Sequence, residues 1–234
     1  VVGLRMLVVL AVGAVALPFY LRWANALPEL PPAPTPQLPS PNAFDFYLEA
    51  GRMLEAALGR PGETPRQWMR ELDLQLLPED LAWIVEQIRP ALERARAGFA
   101  YAYQRPIVYS FRADFSVFPY FRALARGFAA EAIVARCEGD FARAVHSALD
   151  AVHLGRDVGA NDLLIAQRVS LACTAIGIYQ LDRMIFDLSS ESAAGALARV
   201  RELRLSWPSL GLNYEQETRY VLYAYTEEVR SNSM

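Results

Sequence analysis

The run from Phe118 to Asp157 limits the folds open to this chain more than any other stretch. Before Glu138-Gly139-Asp140, Phe121, Leu124, Phe128, Ala132 and Ala135 recur every three or four residues, the stripe of an amphipathic helix. After it, Phe141, Ala144, Val145, Ala148 and Val152 repeat the pattern. Gly139 suits the left-handed conformation that ends a helix. Asp140 suits the cap of the next one, where its side chain accepts from free amides. Two helices joined this tightly form an αα-hairpin, and the alanines on both stripes let the axes approach closely.

Gly139-Asp140-Phe141, followed by Ala144, Ala148, Ala151 and Leu154, resembles the second half of a tetratricopeptide repeat. Phe128 and Ala132 stand at the aromatic and small positions of the first half, whose Leu-Gly pair is missing. A further unit about 34 residues on would place a Gly near Cys173, and none is there. The signature is therefore confined to one hairpin, and a long solenoid is not expected. From Asn42-Ala43-Phe44-Asp45 through the turn to Leu163-Leu164-Ile165, the chain is also similar to a group of exported bacterial proteins. These have an N-terminal membrane segment, a Pro-rich spacer and tetratricopeptide-like helices. The resemblance implies an all-α protein: an N-terminal transmembrane helix, a Pro-rich stalk, then a tetratricopeptide-like array of antiparallel helical hairpins. It implies no particular activity.

The N-terminal residues fit that outline. Residues 1–26 read as a transmembrane anchor or signal segment: Val1 to Leu21 is apolar except for Arg5, close to the ~20 residues that cross a bilayer. Pro18-Phe19-Tyr20 with Trp23 matches an interfacial belt and favours an uncleaved anchor. Ala24-Asn25-Ala26 offers the alternative, cleavage near Ala26 and secretion. Residues 27–41 read as a stalk, because Pro28, Pro31, Pro32, Pro34, Pro36, Pro39 and Pro41 exclude helix and favour polyproline II. Residues 42–234 read as the helical domain, with the repeat-like hairpin at 119–157. The expected location is the cytoplasmic membrane, single-pass, with the helical domain outside the cytoplasm.

Within the domain, Asn42 caps a first helix that Gly59-Arg60-Pro61-Gly62 stops, and a helical turn is expected at Arg66 to Leu72. Pro78-Glu79-Asp80 opens a longer helix, which Pro90 is expected to break or kink near Arg89. Phe99 to Phe121 holds nine aromatics in 23 residues. Pro106 and the alternation Ile107, Tyr109, Phe111 predict an extended connection pinned to the core by its rings. A Tyr-lined partner groove is its functional reading. Asn161 or Asp162 starts the most apolar helix of the domain, expected to be the buried centre. Helices over Glu191–Arg204 and Asn213–Arg230 complete the chain.

Charge excludes some functions. A net charge of −3 with 21% charged residues fits neither a disordered polyanion nor a nucleic-acid binder. All 23 basic residues are Arg, which favours bidentate carboxylate pairing. Cys137 and Cys173 are too few for a disulfide scaffold or a zinc site of their own. They read as two buried small side chains, with pairing in an oxidising envelope as the alternative.

The sharpest chemical constellation is His146, Asp150, His153 and Asp157, whose offsets of 4, 7 and 11 place them on one helix face. His146, Asp150 and His153 are the candidate metal ligands. The two rings stand two turns, roughly 10 Å, apart, and no third His exists. A solvated polar face with His–Asp pairing is therefore the reading, with contact to an element distant in sequence as the other possibility. Asp45, Glu49, Asp114 and Glu131 are read as surface acids. Neither a nucleophile elbow nor a Gly-rich phosphate loop is present. No catalytic residue and no cofactor is expected. The functional expectation is a membrane-tethered scaffold binding a protein or peptide through Tyr109, Phe111, Tyr120 and Arg122, without nucleic acid. The competing expectation is a helical cell-envelope enzyme, such as a metal-assisted hydrolase, working through the His146 face or Glu131.

Overall fold

Seven helices pack as antiparallel neighbours in the computed structural model, which describes residues 37–59 and 78–232 with the isolated Tyr20, Ala33 and Thr35. They are α1 (Ala43–Leu58), α2 (Pro78–Gly98), α3 (Phe118–Cys137), α4 (Phe141–Val158), α5 (Leu164–Asp182), α6 (Ser190–Leu205) and α7 (Leu210–Asn232). The N-terminal apolar run, most of the Pro-rich stretch and the turn expected at Arg66–Leu72 lie outside the described residues.

The central hairpin forms as its sequence dictates. Gly139 takes φ +79°, the Asp140 amide donates to Ala135 O at 2.9 Å and the Gly139 amide to Arg136 O at 3.0 Å. These are the two bonds of a Schellman cap. Asp140 then accepts from the Arg143 amide at 3.0 Å and starts α4. Buried alanines line α3 (Ala123, Ala125, Ala129, Ala130, Ala132 and Ala135), and they let α1, α2, α4 and α5 all pack against it.

The aromatic connection, 99–117, is non-helical and crosses the start of α1 as a strap. Asn42 Oδ1 accepts both the Phe44 amide, capping α1, and the Gln104 amide, each at 3.1 Å. Its side-chain amide donates to Gln104 O at 2.8 Å. Tyr103 stacks on Tyr47, with centroids 5.9 Å apart, and meets Phe44 and Phe121 edge-on. Arg105 makes a bidentate pair with Asp162, both bonds 2.7 Å, and its guanidinium lies over the Phe118 ring. The strap is held by rings, by hydrogen bonds to the start of α1 and by one sealed ion pair.

Three expectations need correction. Pro90 does not break its helix; α2 runs through it as one 21-residue element, with Ile88, Ala91 and Leu92 buried on both sides of the proline. Cys137 is exposed rather than buried, and both thiols are free. The apolar helix α5 is not the buried centre. Its inward residues are small or polar, among them Ala166, Gln167, Ser170, Cys173 and Gly177, while Leu171, Ile178 and Tyr179 point outward.

The reason is the fit between α4 and α5. A Cβ at Gly155 would lie 2.9 Å from Ser170 O, and one at Gly177 would lie 2.8 Å from Val152 Cγ2. Only small residues fit this seam, so bulky side chains on α5 are turned away. Gly195 on α6 faces open space. In urea titrations Gly177→Val is expected to lose about 1–3 kcal/mol by overpacking. Gly195→Ala is expected to gain up to about 1 kcal/mol from helix propensity.

Candidate functional site

The face carrying His146, Asp150, His153 and Asp157 turns inward for most of its length, because α2 and α6 bring arginines to it. Asp150 is wholly buried. Its Oδ2 accepts from Arg96 Nε at 2.6 Å and its Oδ1 from Arg199 Nη2 at 2.5 Å. Arg96, from the last turn of α2, also pairs with Glu131 on α3 through both terminal nitrogens and lies 5.1 Å from the Phe128 centroid. The Ser147 hydroxyl donates to Glu131 at 2.7 Å. Two cations and two anions thus join α2, α3, α4 and α6. Burial works to raise the Glu131 carboxyl, but its bonds to Arg96 and Ser147 outweigh burial and hold it below its ordinary value.

One to two turns along α4 from Asp150 lies a second cluster. The His153 ring stacks on Phe99 with centroids 4.2 Å apart. Its Nε2 is 2.5 Å from Arg156 Nη2, which places the ring proton on Nδ1. Asp157 accepts from Arg156 at Oδ1 and from the Tyr47 hydroxyl at Oδ2, both at 2.5 Å. Burial, followed by the charges of Arg156 and Arg199, pulls His153 down to about 3. Burial pushes Asp157 up against the pull of Arg156 and Tyr47. The same burial, with Asp157 beside it, raises the Tyr47 hydroxyl well above its usual value.

The expected solvated polar face is therefore overturned. The arginines that bury it come from elements distant in sequence. The three metal candidates are not brought together as ligands. Both oxygens of Asp150 are held by guanidinium groups, His146 stands exposed beside Arg199 Nη1, and His153 belongs to the second cluster. Among the described residues no group of three or more His, Cys, Asp or Glu converges as a metal site requires.

The four aromatic and basic candidates lie apart from this face and do not share a partner. Tyr109 meets Tyr223, and Phe111 meets Tyr220 edge-on, both on α7. Tyr120 lies over Gly51 of α1 and donates to Glu55 at 2.7 Å. Arg122 is exposed on α3. Of the acids, Glu49 pairs with Arg94 at the surface, and Asp114 accepts from the Ser116 amide and hydroxyl. Glu131 is no surface acid.

An open groove of ≈ 560 Å³ runs between α4 and α6. Ala142, Val145, Leu149 and Ala196 give it an apolar floor, while His146, Arg199, Glu191 and Ser192 form its polar rim. Glu131 does not line it. Neither Arg96 nor Arg199 was singled out by spacing, since each comes from a different helix than its acid. The available signals were the exclusive use of Arg and an Asp inside an otherwise buried helix. Compared with family models, curated proteins and solved structures, the chain matches none.

Two measurements test this electrostatic core. Asp150→Asn leaves Arg199 without its carboxylate and Arg96 with Glu131 alone, and denaturant titration is expected to show a loss of about 3–5 kcal/mol. For His153, the unfolded chain takes up a proton near 6.5 and the folded chain near 3. The unfolded state binds more protons between those values, so stability falls as pH falls through that window, by up to about 1.4 kcal/mol per pH unit. Asp157, being raised, acts in the opposite sense where it titrates, so the comparison is with His153→Gln. Melting temperature against pH is expected to be flatter in that variant than in the parent.

Proposed function

We propose that the protein is a helical scaffold that binds a protein or peptide partner and performs no catalysis. In this reading the domain is tethered to the cytoplasmic membrane, faces away from the cytoplasm, and uses hairpins of tetratricopeptide type. The observation that carries it is the groove between α4 and α6. An apolar floor with a charged rim suits a side chain or short helix of a partner. The carboxylates best placed for acid–base work, Glu131, Asp150 and Asp157, are already engaged by Arg96, Arg199, Arg156, Ser147 and Tyr47.

One observation favours the enzyme reading, which is that His146 and Ser192 both line the groove. The two readings separate through Gly195, whose missing Cβ faces open space at the groove. Gly195→Trp is expected to fill the groove while keeping the parent's melting temperature. A photoreactive amino acid at Ser192 of the full chain, activated in intact cells, is expected to yield one adduct of discrete mass. The adduct should be lost at least about tenfold in the Gly195→Trp background. No adduct, or hydrolytic turnover that disappears with His146→Ala, would reject the scaffold in favour of the enzyme. Fractionation of the same cells checks the membrane location.

A further inference from the structure

Among the described residues no element covers the outward side of α5, and its residues form an ordered series. Arg168, Leu171, Ala172, Ala175, Ile178, Tyr179 and Asp182 all lie within about 60° of Ala175 around the helix axis, at ~100° per residue. Leu171, Ile178 and Tyr179 are 64%, 53% and 55% exposed. Arg168, Ala175 and Asp182 are exposed too. Among the described residues neither Arg168 nor Asp182 has an ion-pair partner.

This series is matched to itself when reversed about Ala175. Arg168 and Asp182 stand seven residues to either side with opposite charges. Leu171 and Tyr179 stand four to either side, and Ala172 and Ile178 stand three. We propose that α5 pairs antiparallel with α5 of a second copy of this chain, across a two-fold axis that passes Ala175. An isologous interface makes each contact twice. Arg168 of each copy then meets Asp182 of the other near the centre line, Leu171 packs on Ile178 along one flank, and the small Ala172 receives Tyr179 along the other. Ala175 meets itself at the crossing, where a methyl side chain lets the axes come within the usual 8–10 Å of packed helices.

Charge decides between occupants. A parallel pair would set Arg168 on Arg168 and Asp182 on Asp182, which is repulsive at both ends. The hydrocarbon interior of a bilayer supplies no partner for a cation and an anion set in line with the apolar stripe. The antiparallel copy satisfies both. The inference is independent of the α4–α6 groove, which lies on other residues.

The test uses the full chain in mild detergent, with the exposed Cys137 changed to Ser and the buried Cys173 left in place. Mild oxidation of Ala175→Cys is expected to give a disulfide-linked dimer, because the residue sits on the axis. Arg52→Cys, on the exposed side of α1, is expected to give little. Light scattering, corrected for detergent, is expected to report a two-chain particle. Arg168→Asp alone and Asp182→Arg alone should each weaken association at least about tenfold, and the double reversal should restore it. These positions are solvent-exposed in a single copy, so the substitutions leave the fold alone. A one-chain mass without a cross-link at 175 overturns the proposal. So does a cross-link at 52 as strong as at 175, or a double reversal no better than either single change.

Discussion

Asp150 is the point on which the arrangement of the helices depends. A carboxylate with no exposure is tolerable only if both oxygens are satisfied, since an unpaired buried charge costs several kcal/mol. Here the two acceptors are met by guanidinium groups from opposite sides, Arg96 from α2 and Arg199 from α6. Arg96 must in turn share itself with Glu131. The group has no net charge, so its mutual attractions offset much of the cost of withholding four ions from water. Such a network adds little stability against an apolar equivalent. What it does is exclude other registers, because a sliding α6 would leave Asp150 half-satisfied.

The packing around it follows a division of labour along α4. One face carries small apolar residues, Ala144 and Ala148 among them, which belong to the cluster reaching Met184 and Leu203. A neighbouring seam is narrow enough that glycines at 155 and 177 are required. The remaining face is the charged one. A helix buried on all these sides keeps its most exposed surface around Ala142, Arg143 and His146, and that is where the groove opens.

Local signals were legible in the sequence. The Schellman turn at Gly139, the caps at Asn42 and Asp140, and the irregular strap after Phe99 were all visible because each depends on residues a few positions apart. What escaped was anything decided across helices. Periodicity marked α5 as apolar but could not say which side turned inward, and the small residues rather than the large ones decided that. It placed the two His and two Asp on one face and left contact with a distant element open, but could not name the arginines, 49 and 54 residues from Asp150, that bury it. The break allowed for at Pro90 does not occur for the same reason, since the packing of Ile88 and Leu92 carries α2 through a missing hydrogen bond.

The bond from Tyr47 to Asp157 spans 110 residues of chain. A ribosome adding roughly 5–20 residues per second completes α1 and then takes on the order of 5–20 s to deliver the acceptor its buried hydroxyl requires. Through that interval Phe44, Tyr47 and Leu54 have only part of their eventual neighbours. The nascent chain therefore shows a greasy, half-walled chamber to whatever attends its emergence, and closing that chamber is an act of the hairpin's second helix.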